Sequence, residues 1–160
     1  MNLKASFLLI TLLMLTVAPL NHSFGQEKAY KAWLSYQILE DNDLLKEYQN
    51  YAQNLAVAGD GILLKSAAQE LKLATKGILG KSIDLGNDSS KGIIIGTFKD
   101  LSKEDVQLDA ESLKQISQEG FYIKSEKSRI IISGKNEKGL LYGVFHFLRL
   151  MQTNQSISAL

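Results

Sequence analysis

The chain lacks cysteine altogether, has one proline, Pro19, and has only two histidines. Without cysteine there is no disulfide, no thiolate nucleophile, no cysteine-based zinc site and no lipidated N-terminal cysteine. An excess of either charge is missing as well, because 18 basic and 17 acidic side chains leave a formal net charge of +1. Such a balance provides no overall field that would attract nucleic acid or an anionic membrane surface.

The composition is that of an ordinary globular protein. Hydrophobic residues make up 45% of the 160 residues and charged residues 22%, which is close to the average for soluble domains. This length is sufficient for one domain with its own core.

The N-terminal stretch has the features of a secretory leader. Lys4 gives a positive start, residues 5–18 are almost continuously apolar, and Pro19 ends the run before the small residues Ser23 and Gly25. This pattern predicts a signal peptide over 1–25, cleavage after Gly25, and export to the periplasm or medium of a bacterium. The competing interpretation is a membrane anchor, but the run is shorter than the roughly 20 residues that span a bilayer. Loss of Lys4 with the leader would make the mature chain formally neutral.

Apolar periodicity and turn residues predict one α/β domain over 26–153, an α+β-like two-layer sandwich in which helices pack on a mixed sheet. The predicted order is β-α-α-β-α-β-β-α. The elements are a strand over 29–39, helices over 44–57 and 63–79, a strand over 92–98, a helix over 109–117, a hairpin of strands over 120–125 and 128–134, and a helix over 137–152. The tail 154–160 has no core pattern and is interpreted as a truncated linker.

The helix over 137–152 is the most apolar of the predicted elements, and Asn136 is placed to cap it. Its predicted inner face comprises Leu141, Val144, Phe145, Leu148 and Met151. Its opposite side is predicted to carry Leu140, Phe147 and Leu150. Because a helix that is apolar almost all round is normally buried, these last three residues are predicted to face a partner outside the chain.

Further core positions are predicted on the strands. The full set is Trp33, Ile94, Phe121 and Ile131, with Leu141, Val144, Phe145 and Leu148 of the last helix. Trp33, with Tyr30 and Tyr36, could alternatively form a platform on which a sugar stacks.

The sequence contains no constellation that predicts catalysis. His146 is the only histidine after the leader, and a packed histidine is a better interpretation than a base or ligand. Asp60, Asp84, Asp100 and Glu126 lie in predicted turns, and their spacing gives no reason to pair any two for glycoside cleavage. The two glycines of Gly92-Ile-Ile-Ile-Gly-Thr97 lack the spacing of a dinucleotide site. The sequence therefore predicts no catalytic residue, no metal site and no cofactor.

Several segments carry a family resemblance. Tyr142-Gly-Val-Phe-His-Phe-Leu-Arg-Leu-Met-Gln-Thr153, preceded by Gly139-Leu-Leu, resembles the signature that ends the N-terminal domain of bacterial α-glucuronidases of glycoside hydrolase family 67. Trp33-Leu34-Ser35-Tyr36, Gly92–Thr97 and Glu119-Gly120-Phe121 resemble, in order, further parts of that domain. A similar helix closes the accessory domain in front of β-hexosaminidase barrels.

The resemblance implies a function for a larger enzyme. Members of the family release glucuronic acid or its 4-O-methyl form from glucuronoxylan fragments, with inversion and without a cofactor. Their catalytic acids lie in a (β/α)₈ barrel that follows this domain, and they have no counterpart in these 160 residues. The chain is therefore expected to be inactive alone and to support that barrel as its partner in cis. The alternative is a self-standing exported module that binds xylan-derived oligosaccharides or a protein.

Overall fold

The computed structural model describes residues 35–104 and 106–160, and residues 36–160 form one compact unit. Its helices are α1 (Asn42–Tyr51), α2 (Ile62–Leu79), α3 (Phe98–Leu101), α4 (Ala110–Gln115) and α5 (Glu137–Gln152). Its strands are β1 (Leu55–Ala58), β2 (Gly92–Thr97), β3 (Phe121–Glu126) and β4 (Arg129–Gly134). Among these residues no helix is long and apolar enough to cross a membrane.

The four strands form one mixed sheet in the order β1-β2-β4-β3. β1, β2 and β4 are parallel, and β3 runs antiparallel to β4 as the first strand of the predicted hairpin. Alternate side chains of β2 and β4 enter two separate cores. Ile93, Ile95, Ile130 and Ile132 face the layer formed by α1, α2 and α5. This mixed α/β arrangement confirms the predicted fold class.

The opposite face of the sheet has a smaller cover. Ile94 and Ile131 are buried there against Leu101 at the end of α3 and Val106 in the following loop. Both are predicted core residues. The central strands β2 and β4 are thus buried on both sides, which is usual for parallel strands covered on both faces.

Two predicted elements are wrong. The helix predicted over 44–57 ends at Tyr51, and Leu55–Ala58 forms β1 instead. This four-residue apolar run is buried on both faces, so its periodicity does not distinguish a strand from a helix. Residues 35–39 of the first predicted strand have no sheet partner; Leu39 instead donates its N–H to the Ile78 oxygen of α2 at 3.0 Å. Residues 29–34 of that prediction lie outside the described residues.

The tail beyond α5 is part of the domain, which corrects its interpretation as a linker without core contacts. Ile157 is fully buried in the main core. Tyr48 on α1 donates its hydroxyl to the Gln155 oxygen at 2.6 Å, and Ser125 on β3 donates its N–H to the Leu160 oxygen at 3.1 Å. The tail therefore connects α1 to the outer edge of β3.

Candidate functional site

The buried stripe of α5 differs in phase from the predicted one. Leu140 and Phe147 are both 0% exposed, so their assignment to an outer, partner-facing side is wrong. Leu150, the third member of that set, is half-buried against the main core. The complete buried stripe is Gly139, Leu140, Gly143, Val144, Phe147, Leu148 and Met151.

Phe145 was predicted to be a core residue and instead projects outward with 39% of its surface exposed. Val144 and Leu148, from the same predicted face, are buried, and Leu141 is half-buried. The inner face therefore includes the glycines instead of Phe145, and α5 has an ordinary amphipathic pattern.

Two glycines explain this phase. A Cβ added at Gly143 would lie 2.9 Å from the Phe121 Cβ on β3, and one added at Gly139 would lie 2.4 Å from the Gly120 oxygen. Only a face without side chains at these two positions can approach the sheet so closely. Gly139 and Gly143, one turn apart, were the available signal for the inner face of α5.

Phe121 and His146 lie at the edge of this contact. Phe121 is half-buried and its ring centroid is 5.2 Å from that of His146. This ring contact fits the interpretation of His146 as a packed residue. Trp33, the remaining predicted core residue, lies outside the described residues, as does Tyr30.

The outward sides of α2 and α5 form the candidate site, which we call the helical surface. Among the described residues seven large hydrophobic side chains are exposed, and five of them belong to these two helices. They are Ile62, Leu63 and Leu73 on α2, and Tyr142 and Phe145 on α5. The other two exposed residues, Ile38 and Leu85, lie in irregular segments.

The two helices are joined at their N-terminal ends. Glu137, the first residue of α5, accepts the N–H of Leu63 through Oε2 at 2.9 Å. Gly61, the N-cap of α2, supplies no side-chain cap of its own, so Glu137 satisfies one of the free amides of that helix. This bond, together with the packing of α2 against α5, holds the two outward faces side by side.

The helical surface also carries exposed basic side chains. Lys65 and Lys76 are exposed on α2, and Lys138 and Arg149 are exposed on α5. Lys138 lies 2.8 Å from Glu119, and its Nζ is 6.0 Å from the centroid of the Tyr142 ring. The hydrogen bond to Glu119 raises the pKa of Lys138 above its ordinary value.

Two of the carboxylates considered for catalysis, Asp100 and Glu126, have hydrogen-bond partners within the domain. Asp100 accepts the Thr97 hydroxyl at 2.6 Å, and this bond is the largest cause of its lowered pKa. Glu126 lies 2.8 Å from Lys124 and 2.9 Å from Arg129, and hydrogen bonds to these two cations lower its pKa. These interactions keep both acids ionised, which suits a structural role and not that of a general acid.

One cavity lies outside the helical surface. A cavity of about 170 Å³ lies beside β1, lined by Ala56, Ala58 and Ile94 and by the more exposed Asn87 and Glu104. It presents no buried charged group. Within residues 35–104 and 106–160, no three histidine, aspartate or glutamate side chains are grouped to hold a metal ion.

Comparison with known proteins gives a consistent result. The sequence profile described as "Glycosyl hydrolase family 67 N-terminus" matches residues 32–147. α-Glucuronidase A of Emericella nidulans is 30% identical over 92% of this chain, and the α-glucuronidase of Hypocrea jecorina is 27% identical over 86%. The chain spans 17% of the length of each of these two fungal relatives.

Among solved structures, a family GH115 4-O-methyl-α-glucuronidase with specificity for decorated arabinogalactans is similar over 62% of this chain and 13% of its own. The TM-score is 0.48 and the sequence identity 18%. A likeness at this level does not add to the family assignment.

Proposed function

Because this chain belongs to the glycosyl hydrolase family 67 N-terminal domains, we propose that it is the non-catalytic N-terminal domain of a secreted α-glucuronidase that acts on glucuronoxylan. Its role there is to support a catalytic (β/α)₈ barrel. The observation that carries the proposal is the match of residues 32–147 to the family's N-terminal domain, together with an alignment that covers only 17% of the related α-glucuronidase A. The ion-paired carboxylates Asp100 and Glu126 are consistent with a supporting role.

The proposal is tested by assaying the purified chain, residues 26–160, on aldouronic acids. We expect no release of glucuronic acid above a buffer blank, with the full-length Emericella nidulans enzyme as the positive control. Release that is abolished by Asp100→Asn or Glu126→Gln would contradict the assignment of this region as non-catalytic.

Secretion is a separate part of the proposal, and it rests on the leader pattern of residues 1–25. Intact-mass measurement of exported protein should give a chain that starts at Gln26. The competing interpretation, a membrane anchor, predicts membrane-associated protein that retains Met1.

A self-standing exported module that binds carbohydrate or protein is the second candidate. Two observations favour it: α5 buries its apolar stripe inside the domain, and Ile157 of the tail closes the core. Titration calorimetry of the chain with xylan-derived oligosaccharides should give heats of binding under this alternative and none under the first proposal. A reading frame that continues past the codon for Leu160 into a barrel favours the first proposal.

A further inference from the structure

The helical surface exposes large apolar side chains that are not part of the main core. Ile62 is 82% exposed, Leu73 45%, Tyr142 43% and Phe145 39%. The two helices already bury a complete stripe on the sheet, so these outward side chains contribute little to the core. Apolar side chains grouped on one surface mark an interaction site more often than chance exposure.

Basic side chains outnumber acidic ones on the same two helices. α2 and α5 carry Lys65, Lys72, Lys76, Lys138 and Arg149 but only two acids, Glu70 and Glu137. Both acids have hydrogen-bond partners within the domain: Glu70 accepts the Tyr36 hydroxyl, and Glu137 accepts the Leu63 N–H. Protein interfaces commonly combine apolar side chains with charged ones. The complementary surface is apolar with carboxylates at its edge.

We propose that the helical surface is the docking face for the catalytic portion of the α-glucuronidase, and that this portion presents an apolar patch bordered by aspartate and glutamate. The inference rests on the proposed function. In the relatives this region is joined to a much longer remainder of the enzyme. That remainder is the partner that we assign to the helical surface. On the opposite face of the sheet, Leu101 and Val106 already pack against Ile94 and Ile131.

A chimera provides the test. Residues 26–160 replace the matching N-terminal region of the Emericella nidulans α-glucuronidase A, and the half-life of α-glucuronidase activity is measured at one elevated temperature. Tyr142→Gln and Phe145→Gln remove apolar contact from the helical surface, and glutamine is well tolerated in helices. Leu85→Gln is the matched control, because Leu85 is 60% exposed and lies outside both helices.

Loss of an interface anchor is expected to shorten the half-life about fivefold or more for each of the two helix variants, and the Leu85→Gln control should leave it unchanged. The charge arm uses Lys76→Glu and Arg149→Glu, with Lys81→Glu as the control in the loop after α2. The first two should also shorten the half-life, and by less at high salt. Circular dichroism of the 160-residue chain with each substitution should show the same melting temperature as the parent.

The outcomes separate the two proposals. If the chimera is as active and stable as the fungal enzyme but Tyr142→Gln and Phe145→Gln behave like the Leu85→Gln control, the docking face is wrong and the proposed function stands. If the unsubstituted chimera has no activity while the fungal enzyme is active, the proposed function fails, and the docking face with it. Sedimentation of the 160-residue chain covers the remaining case. A dimer that Phe145→Gln dissociates, without any effect on the chimera, assigns the surface to a second copy and overturns the proposal.

Discussion

The carboxylate of Glu47 on α1 accepts the backbone N–H of Ile157, which lies 110 residues further along the chain, at 2.6 Å. The same Oε1 accepts the Ser158 N–H at 2.9 Å and the Ser156 hydroxyl at 2.9 Å. One side chain thus holds three consecutive residues of the tail, and it does so where Ile157 enters the core.

Replacement of Glu47 by alanine should weaken the attachment of the tail. The amides of Ile157 and Ser158 lose a charged acceptor, and we expect the free energy of unfolding to fall by about 1–3 kcal/mol. Urea denaturation measures this change. Glu47→Gln is the control, because it retains an acceptor oxygen and should lose less. Equal stability of Glu47→Ala and the parent, with unchanged hydrogen-exchange protection at Ile157, would show that the apolar contacts alone hold the tail.

Phe145 and Phe147 form a matched pair on one helix. Phe147 is 0% exposed and Phe145 is 39% exposed. Phe147→Ala should therefore lower the free energy of unfolding by about 3–5 kcal/mol, since it leaves a cavity in the core. Phe145→Ala should lower it by less than about 1 kcal/mol, in the range of surface substitutions. Thermal melts of the two variants decide the phase of α5, because a larger loss for Phe145→Ala would reverse the inner and outer faces.

Gly143→Ala tests how closely α5 approaches the sheet. Alanine is favoured over glycine within a helix by about 1 kcal/mol. Here, however, its Cβ would lie 2.9 Å from the Phe121 Cβ and 3.1 Å from the Ile132 Cγ2. Overpacking of this kind loses about 1–3 kcal/mol, so we expect a lower melting temperature than that of the parent. Gln152→Ala, at an exposed position of the same helix, should show almost no change, and a gain in stability for Gly143→Ala would contradict the close packing.

Tyr48 predicts a loss of stability at alkaline pH. Burial, reinforced by the charges of Glu47 and Asp41, raises the pKa of Tyr48 from 10.0 to about 12. The unfolded chain therefore releases the phenol proton at lower pH than the folded chain does. The resulting stabilisation is complete below pH 10 and is lost as the pH rises towards about 12.

The control for this prediction is Tyr48→Phe, which removes the titrating group and also the hydrogen bond to the Gln155 oxygen. Chemical denaturation at several pH values should give a steeper decline between pH 10 and 12 for the parent than for Tyr48→Phe. Parallel declines would mean that Tyr48 ionises alike in both states.

The sequence predicted best those elements whose local signals agree. For α5, Asn136 caps the first turn by accepting the Gly139 N–H, as expected, and the helix spans Glu137–Gln152. β2 was predicted from an unbroken β-branched run, and it occupies Gly92–Thr97. For α5 the cap, the apolar pattern and the length agree, and for β2 the β-branched residues and the short length agree.

The errors arose where the decisive contact is distant in sequence. Leu55–Ala58 forms a strand because it pairs with β2, beginning at Leu55 opposite Ile93. The sequence pattern of residues 55–58 alone does not indicate that pairing. The inner face of α5 depends on the contact between Gly143 and Phe121 across the hairpin. The prediction of the outer face was wrong for the same reason. When the predicted inner face is shifted by one residue along α5, Phe147 is buried and Phe145 is exposed.

The connections of Glu47 and Tyr48 to the tail also bear on the order of events during synthesis. The partners of Tyr48 and Glu47, Gln155 and Ile157, emerge from the ribosome 107 and 110 residues later. β2 also pairs with β4, which is synthesised later than β1 and β2. Closure of contacts so far apart in sequence slows folding, and domains generally fold as units during synthesis. The α1 side of the core must therefore stay open to water, and to chaperones, until translation has passed Ile157.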